Sequence, residues 1–184
     1  MTTLTPDTAA LVGTWTIDPA HTRVGFSARH AMVTTVRGAF ADFDGTIDVR
    51  GEADASIEVR IRTASVTTGQ DGRDTHLRSA DFFDAEAFPE IVFRSTAIEV
   101  ESDDEFTLVG DLTIKDVTRE VRIAVETSGV QTDHRGSVRA GFEGTLSISR
   151  ADFGLTWNVA LDAGGWLVSD KIKIELDVSA VKDA

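Results

Sequence analysis

The chain has no cysteine. Disulfides, thiolate catalysis, iron–sulfur clusters and Cys-ligated zinc are excluded at once. Positive charge is scarce: 18 Lys and Arg stand against 31 Asp and Glu, for a formal net charge of -13. Such a field repels phosphate backbones and anionic lipid surfaces, so nucleic acid is not an expected partner. The opening MTTLTPDTAALVGTW lacks a basic n-region and a long apolar run. It does not read as a secretory signal, and no later run is long enough to span a bilayer. A cytoplasmic location without stable membrane insertion is expected. His21, His30, His76 and His134 are dispersed with no H-x-x-x-H pair, so no metal site is expected. There is no G-x-S-x-G, P-loop or dinucleotide fingerprint, hence no catalytic residue to assign by motif. Linkers, repeats and low-complexity tracts are missing too. A length of 184 residues fits one domain over 1–184, with 1–12 expected as a flexible N-terminus.

What the chain does have is period-2 alternation almost throughout. Val24, Phe26, Ala28 and His30 share one face and Arg23, Gly25, Ser27 and Arg29 the other. Ile57, Val59 and Ile61 alternate with Glu58, Arg60 and Arg62. Val138, Phe142, Leu146 and Ile148 form a further face, and Ile172, Ile174, Leu176 and Val178 another. Gly45, Gly110 and Gly144 fall on faces shared with apolar residues, where a glycine marks a bulge, a bend or a close approach. Phe40 and Phe43 have opposite parity within one apparent strand, which predicts a bulge near Ala41 or Asp42. Roughly eight to ten strands joined mostly by short turns indicate a sandwich or a closed barrel. Long strands and one dominant crossover favour the barrel, whose interior side chains can fill or which can hold one small ligand.

That crossover is Thr67 to Pro89, TTGQDGRDTHLRSADFFDAEAFP. It predicts a short helix over about Arg73 to Ala80, capped by Asp71. In a helix Asp74 and Arg78 share a face at i,i+4, so they are expected as a structural ion pair that locks the segment. Ala151 to Gly165 reads as a second irregular connection, bracketed by Trp157 and Trp166. Trp15 is expected to pack as a floor or end plug.

Six pieces then match a known pattern in order and spacing: WTIDPAHT at 15–22, FSARHAMVTTVRGAF at 26–40, RDTHLRSADFFD at 73–84, FPEIVFRS at 88–95, GDLTIKDVTR at 110–119 and ISRADFG at 148–154. In these the chain resembles the bacterial YceI-like family of polyisoprenoid-binding, lipocalin-like proteins. The resemblance implies an all-β fold: an antiparallel eight-stranded lipocalin-like barrel with a short helical crossover and a long apolar pore. It implies binding, storage or transport of an amphiphilic isoprenoid lipid, a polyprenyl chain or a quinone tail, rather than catalysis. No other cofactor is implied, and a homodimer is. Asp116 stands where the family usually has glycine, a change confined to a turn.

On that reading the tail is lined by Phe26, Phe40, Phe93 and Phe142, with Phe82 of the crossover and Trp157 of the late connection. The head group is met by His30, Arg37, Arg73, His76 and Arg78. Two alternatives stay open: a filled barrel serving as a stress-response or interaction module, and an enzyme on a lipophilic substrate with His76 or His30 as base.

Overall fold

The computed structural model describes residues 6–184. Eight antiparallel strands close into a barrel: β1 (Gly13–Ile17), β4 (Phe43–Gly51), β5 (Asp54–Arg62), β7 (Glu90–Val100), β8 (Glu105–Ile114), β9 (Val117–Thr132), β10 (Val138–Ser149) and β11 (Lys171–Lys182). They follow one another around the ring in that order, and pairing of β11 with β1 closes it. Three more strands, β2 (Arg23–His30), β3 (Thr34–Phe40) and the two-residue β6 (Val66–Thr67), extend the wall at one end.

The strand β11 explains the extension. Its last residues pair with β1, Ile17 opposite Ala180, while its first half pairs with β2, Ser27 opposite Lys173. The chain passes from one partner to the next through a single 3-10 turn, Pro19–His21, capped by Asp18, whose carboxylate accepts from Ala20 N at 3.0 Å. The predicted bulge at Ala41–Asp42 is a full break between β3 and β4, so two strands stand where one was expected. Asp42 O there accepts from Arg62 N at 2.9 Å, which turns the chain into the ring.

Because β6 is so short, the wall beside β3 would be open. The crossover fills the gap. Its end is held by Thr63, fully buried, which donates from N to Pro89 O (3.0 Å) and from Oγ1 to Phe88 O (2.7 Å). The helix in it, α2 (Asp71–Arg78), starts two residues before the predicted boundary. Its N-cap is Gln70, not Asp71: the amide oxygen of Gln70 accepts from Arg73 N at 3.0 Å, satisfying one of the first-turn donors that a helix leaves unpaired.

The expected Asp74–Arg78 ion pair does not form. Asp74, 5% exposed, accepts from Thr68 N (2.8 Å) and Thr68 Oγ1 (2.5 Å). Arg78 donates instead to Ala64 O (2.8 Å) and Val66 O (3.0 Å). Both side chains lock the helix to residues 64–68, each by its own route. Burial opposes ionisation of Asp74, but the bonds from Thr68, with the fields of its other neighbours, hold its carboxyl below the ordinary carboxylate value.

At the other end of the barrel Trp15 is 1% exposed, its Nε1 donating to Leu11 O at 2.8 Å. Lys182 Nζ stands 5.3 Å from its ring centroid. This matches the expected end plug. It also ties down α1 (Pro6–Leu11), a helix within the stretch expected to be a flexible terminus; residues 1–5 of that stretch lie outside the described residues. The buried core runs along the inner wall through Phe43, Ile91, Phe93, Leu108, Leu112 and Ile123, each such side chain stabilising by about 1.5–3 kcal/mol.

Candidate functional site: an apolar cavity along the barrel

The inner wall does not meet in the middle. A cavity of about 660 Å³ runs from Arg73, His76 and Leu167 at the crossover end to Val49 and Val100 near the opposite turns. Ligand pockets typically span about 300–1,000 Å³. Alternation sends every second side chain inward, and the sequence supplies carbon at nearly all of those positions.

Glycines set the shape. At Gly110 a Cβ would lie 2.5 Å from both Arg94 O and Phe93 Cζ, so the missing side chain lets the end of the Phe93 ring approach β8. Gly38 makes the same room for Phe26. Gly144 differs: its nearest neighbours are the tips of Ile123 (3.3 Å) and Leu176 (3.4 Å), and the position itself lines the cavity.

Of the residues expected to meet a tail, Phe26, Phe40, Phe82, Phe93, Phe142 and Trp157 all line the cavity. Several are mutually packed, Phe26 with Phe40 at 5.7 Å and Phe82 with Trp157 at 5.4 Å between centroids. Of those expected to meet a head group, His30, Arg73 and His76 line it, all at the crossover end. Two do not. Arg37 is exposed, paired across from Ser27 on the outer face, and acts on Glu175 of that face. Arg78 is spent on the carbonyls of Ala64 and Val66. Arg73 lines the cavity but its guanidinium is also committed, from Nε to Thr68 Oγ1 (2.6 Å) and from Nη2 to Thr68 O (3.0 Å).

At the crossover end His76 presents a ring to the cavity, while at the opposite end Glu52 lines it with a buried, unpartnered Oε2. The Nε2 of His76 lies 2.8 Å from Asp81 Oδ2. Its ring stands edge-on to Trp157 (4.6 Å) and Phe82 (5.1 Å). In the neutral imidazole a carboxylate at Nε2 selects the tautomer with the proton there, and Nδ1 is then the acceptor. His30 is exposed at the rim.

Arg150 was not among the expected site residues. It is 6% exposed, lines the cavity, and donates only to carbonyls: Leu155 O (2.7 Å), Trp157 O (2.9 Å), Ser169 O (2.9 Å) and Val168 O (3.3 Å). Its guanidinium stands 6.0 Å from the Phe82 ring centroid. Burial pulls its pKa below the ordinary arginine value, with Asp170 opposing. This one side chain folds the 155–169 connection over the cavity. Parity could have found it, since Leu146, Ile148 and Arg150 continue the inward face of β10. Among the described residues no cluster of three or more His, Cys, Asp or Glu could hold a metal ion, and no helix is long and apolar enough to cross a membrane.

A family model, the YceI-like domain, matches residues 15–180. A UPF0312 protein of Staphylococcus aureus strain bovine RF122 is 36% identical over 164 residues, covering 88% of this chain and 93% of its own. The crystal structure of the Campylobacter jejuni YceI protein superposes with a TM-score of 0.73 at 28% identity, covering 85% of this chain and 90% of that one. A polyisoprenoid binding domain from Saccharophagus degradans, implicated in plant cell wall breakdown, shares the fold with a TM-score of 0.71 at 15% identity, over 92% of this chain and 98% of that one.

Proposed function

The chain belongs to the YceI-like family, and from that premise we propose that it binds and carries an amphiphilic isoprenoid lipid, without catalysing its conversion. The observation that carries this reading is the carbon-lined cavity of about 660 Å³. At the ~30 Å³ that one water-sized group occupies, it holds about twenty carbons, or about four isoprene units. Burial at ~0.8 kcal/mol per carbon gives about 16 kcal/mol gross. Association and ordering cost about 4–15 kcal/mol, so tail burial leaves a net of about 1–12 kcal/mol for binding. The name of the Saccharophagus domain points to the same ligand class.

The head group sits at the crossover end, with His30 at the rim and His76 as acceptor. The Asp81–His76 pair resembles an acid–base relay, but the ring's recorded partners are a carboxylate and two aromatic rings. On this reading the pair orients a head group. The test is an organic extract of the purified protein examined by mass spectrometry, followed by titration with polyprenols of graded length. A polyprenyl or quinone species and saturable binding are expected. An empty extract together with no uptake of any added polyprenyl lipid would overturn the reading, and would favour an interaction module.

A further inference from the structure

The cavity's crossover end carries a second feature that ligand binding alone does not require. Two chain tips project beside it. One is the turn between β2 and β3, with Met32 64% and Val33 75% exposed. The other is the hairpin in the late connection, with Trp166 58% and Val159 45% exposed. The tips are joined: Ala31 N donates to Leu167 O (2.7 Å), Ser169 N donates to Arg29 O (3.0 Å), and His30 bridges to Val168. Met32 packs over Gly165, where any Cβ would collide with its sulfur.

These tips depart from the rest of the surface in charge. The protein is strongly acidic overall. Yet residues 30–36 contain no Asp, Glu, Lys or Arg, and residues 155–169 contain one, Asp162. The β2–β3 turn is also built at a conformational cost. Ala31 and Met32 both have positive φ, 49° and 61°, a region where side chains are disfavoured and where such a turn ordinarily takes Asn-Gly. The sequence places a long apolar side chain there instead. Arg29, His30, Leu167 and Val168 line the cavity, so the tips stand beside its crossover end.

We propose that this apolar rim, which carries the single charge of Asp162, rests on the surface of a lipid bilayer, so that the crossover end of the cavity faces the apolar phase. Tryptophan and methionine at tips with so little charge suit the bilayer interface, where an indole buries its rings and keeps its N–H wet. The overall acidity works against anionic surfaces, so the fitting partner is a neutral, zwitterionic one. Four side chains at two loop tips fall well short of the ~1,200–2,000 Å² that a stable protein interface buries. A bilayer needs no matched partner surface.

The test uses the full chain and sonicated phosphatidylcholine vesicles. The wild type is expected to sediment with them, and in a W157F background, which removes the cavity-lining tryptophan, brominated lipid is expected to quench the exposed Trp166; Trp15 is buried. The triple variant M32S/V33S/W166S should lose at least tenfold in vesicle partitioning while keeping its far-UV circular dichroism. W166F should retain partitioning and lose the quenching. Polyprenol pickup from vesicles should slow at least tenfold in the triple variant, with pickup from detergent micelles unchanged. That last comparison alone rests on the isoprenoid reading; vesicle adsorption decides the rim's role even if no polyprenol binds. Equal partitioning of wild type and triple variant would overturn the proposal. So would a wild-type dimer that adsorbs to no vesicle and that the triple variant splits into monomers, which would assign the rim to a second copy of the chain.

Discussion

Replacing Gly144 by Leu separates a hollow barrel from a filled one by the sign of two effects. Gly144 lies midway along β10, opposite Leu176 and Val125, and lines the cavity. A Cβ there meets only side-chain atoms, at 3.3–3.5 Å, so Ile123 and Leu176 must give by a few tenths of an ångström. The new side chain adds four carbons, about 120 Å³ at ~30 Å³ each, which removes about a fifth of the cavity. Each displaced tail carbon forfeits ~0.8 kcal/mol, for a loss of about 3 kcal/mol or roughly a hundredfold in Kd. Short prenols that stop before the middle of the barrel should bind as before. The ligand-free protein, in contrast, should hold or gain stability, because a strand glycine costs about 0.5–1 kcal/mol and the Leu fills empty space. In a packed barrel the same Leu would cost about 1–3 kcal/mol through overpacking. Isothermal titration with prenols of two to eight units, paired with urea unfolding of the ligand-free protein, reads both quantities. Unchanged long-tail affinity in a folded G144L protein would refute the assignment of the cavity to the tail.

Acid stability follows from Arg139, which bonds both Asp18 (2.7 Å) and Asp133 (2.9 Å). Arg139 beside each, with His21 on Asp18 and backbone amides on Asp133, lowers both carboxyls from 3.8 to about 2. Depressed carboxyls contribute stability that is present above their unfolded value and lost as pH falls through the folded one. Urea midpoints should therefore fall steeply between pH 4 and 2, and R139M should flatten that dependence; parallel curves for the two proteins would disprove it. Arg150→Met should cost about 2–4 kcal/mol, since it strips buried carbonyls of their donor. Amide exchange at Val159 and Val168 should accelerate with it. R150K, which keeps the charge without the planar fork, should fall between. Full protection of the 155–169 connection in R150M would show that Arg150 does not hold it.

Inward and outward faces were legible from the sequence, because a strand's alternation is local and needs no knowledge of the partner. Phe26 and Phe142 fall on inward faces by parity, and with Phe40 and Phe93 they line the cavity. The same rule assigns Arg37 to the outer face, with Thr35 and Ala39, away from the cavity it is expected to reach. The family and its closed barrel were equally legible, carried by short motifs spread from Trp15 to Gly154. What only the tertiary structure decided is where the charges go. Asp74 and Arg78 are well spaced for an ion pair, yet each finds partners among residues 64–68, which helix spacing cannot reveal. Gln70 displaces Asp71 as cap for the same reason, since a cap is settled by where the chain enters the helix. Whether an apolar interior closes on itself or stays open also lies beyond alternation: it depends on how far apart the closed ring holds opposite walls, and on glycines such as Gly110 that let the end of the Phe93 ring approach its neighbour strand and leave the middle of the barrel empty.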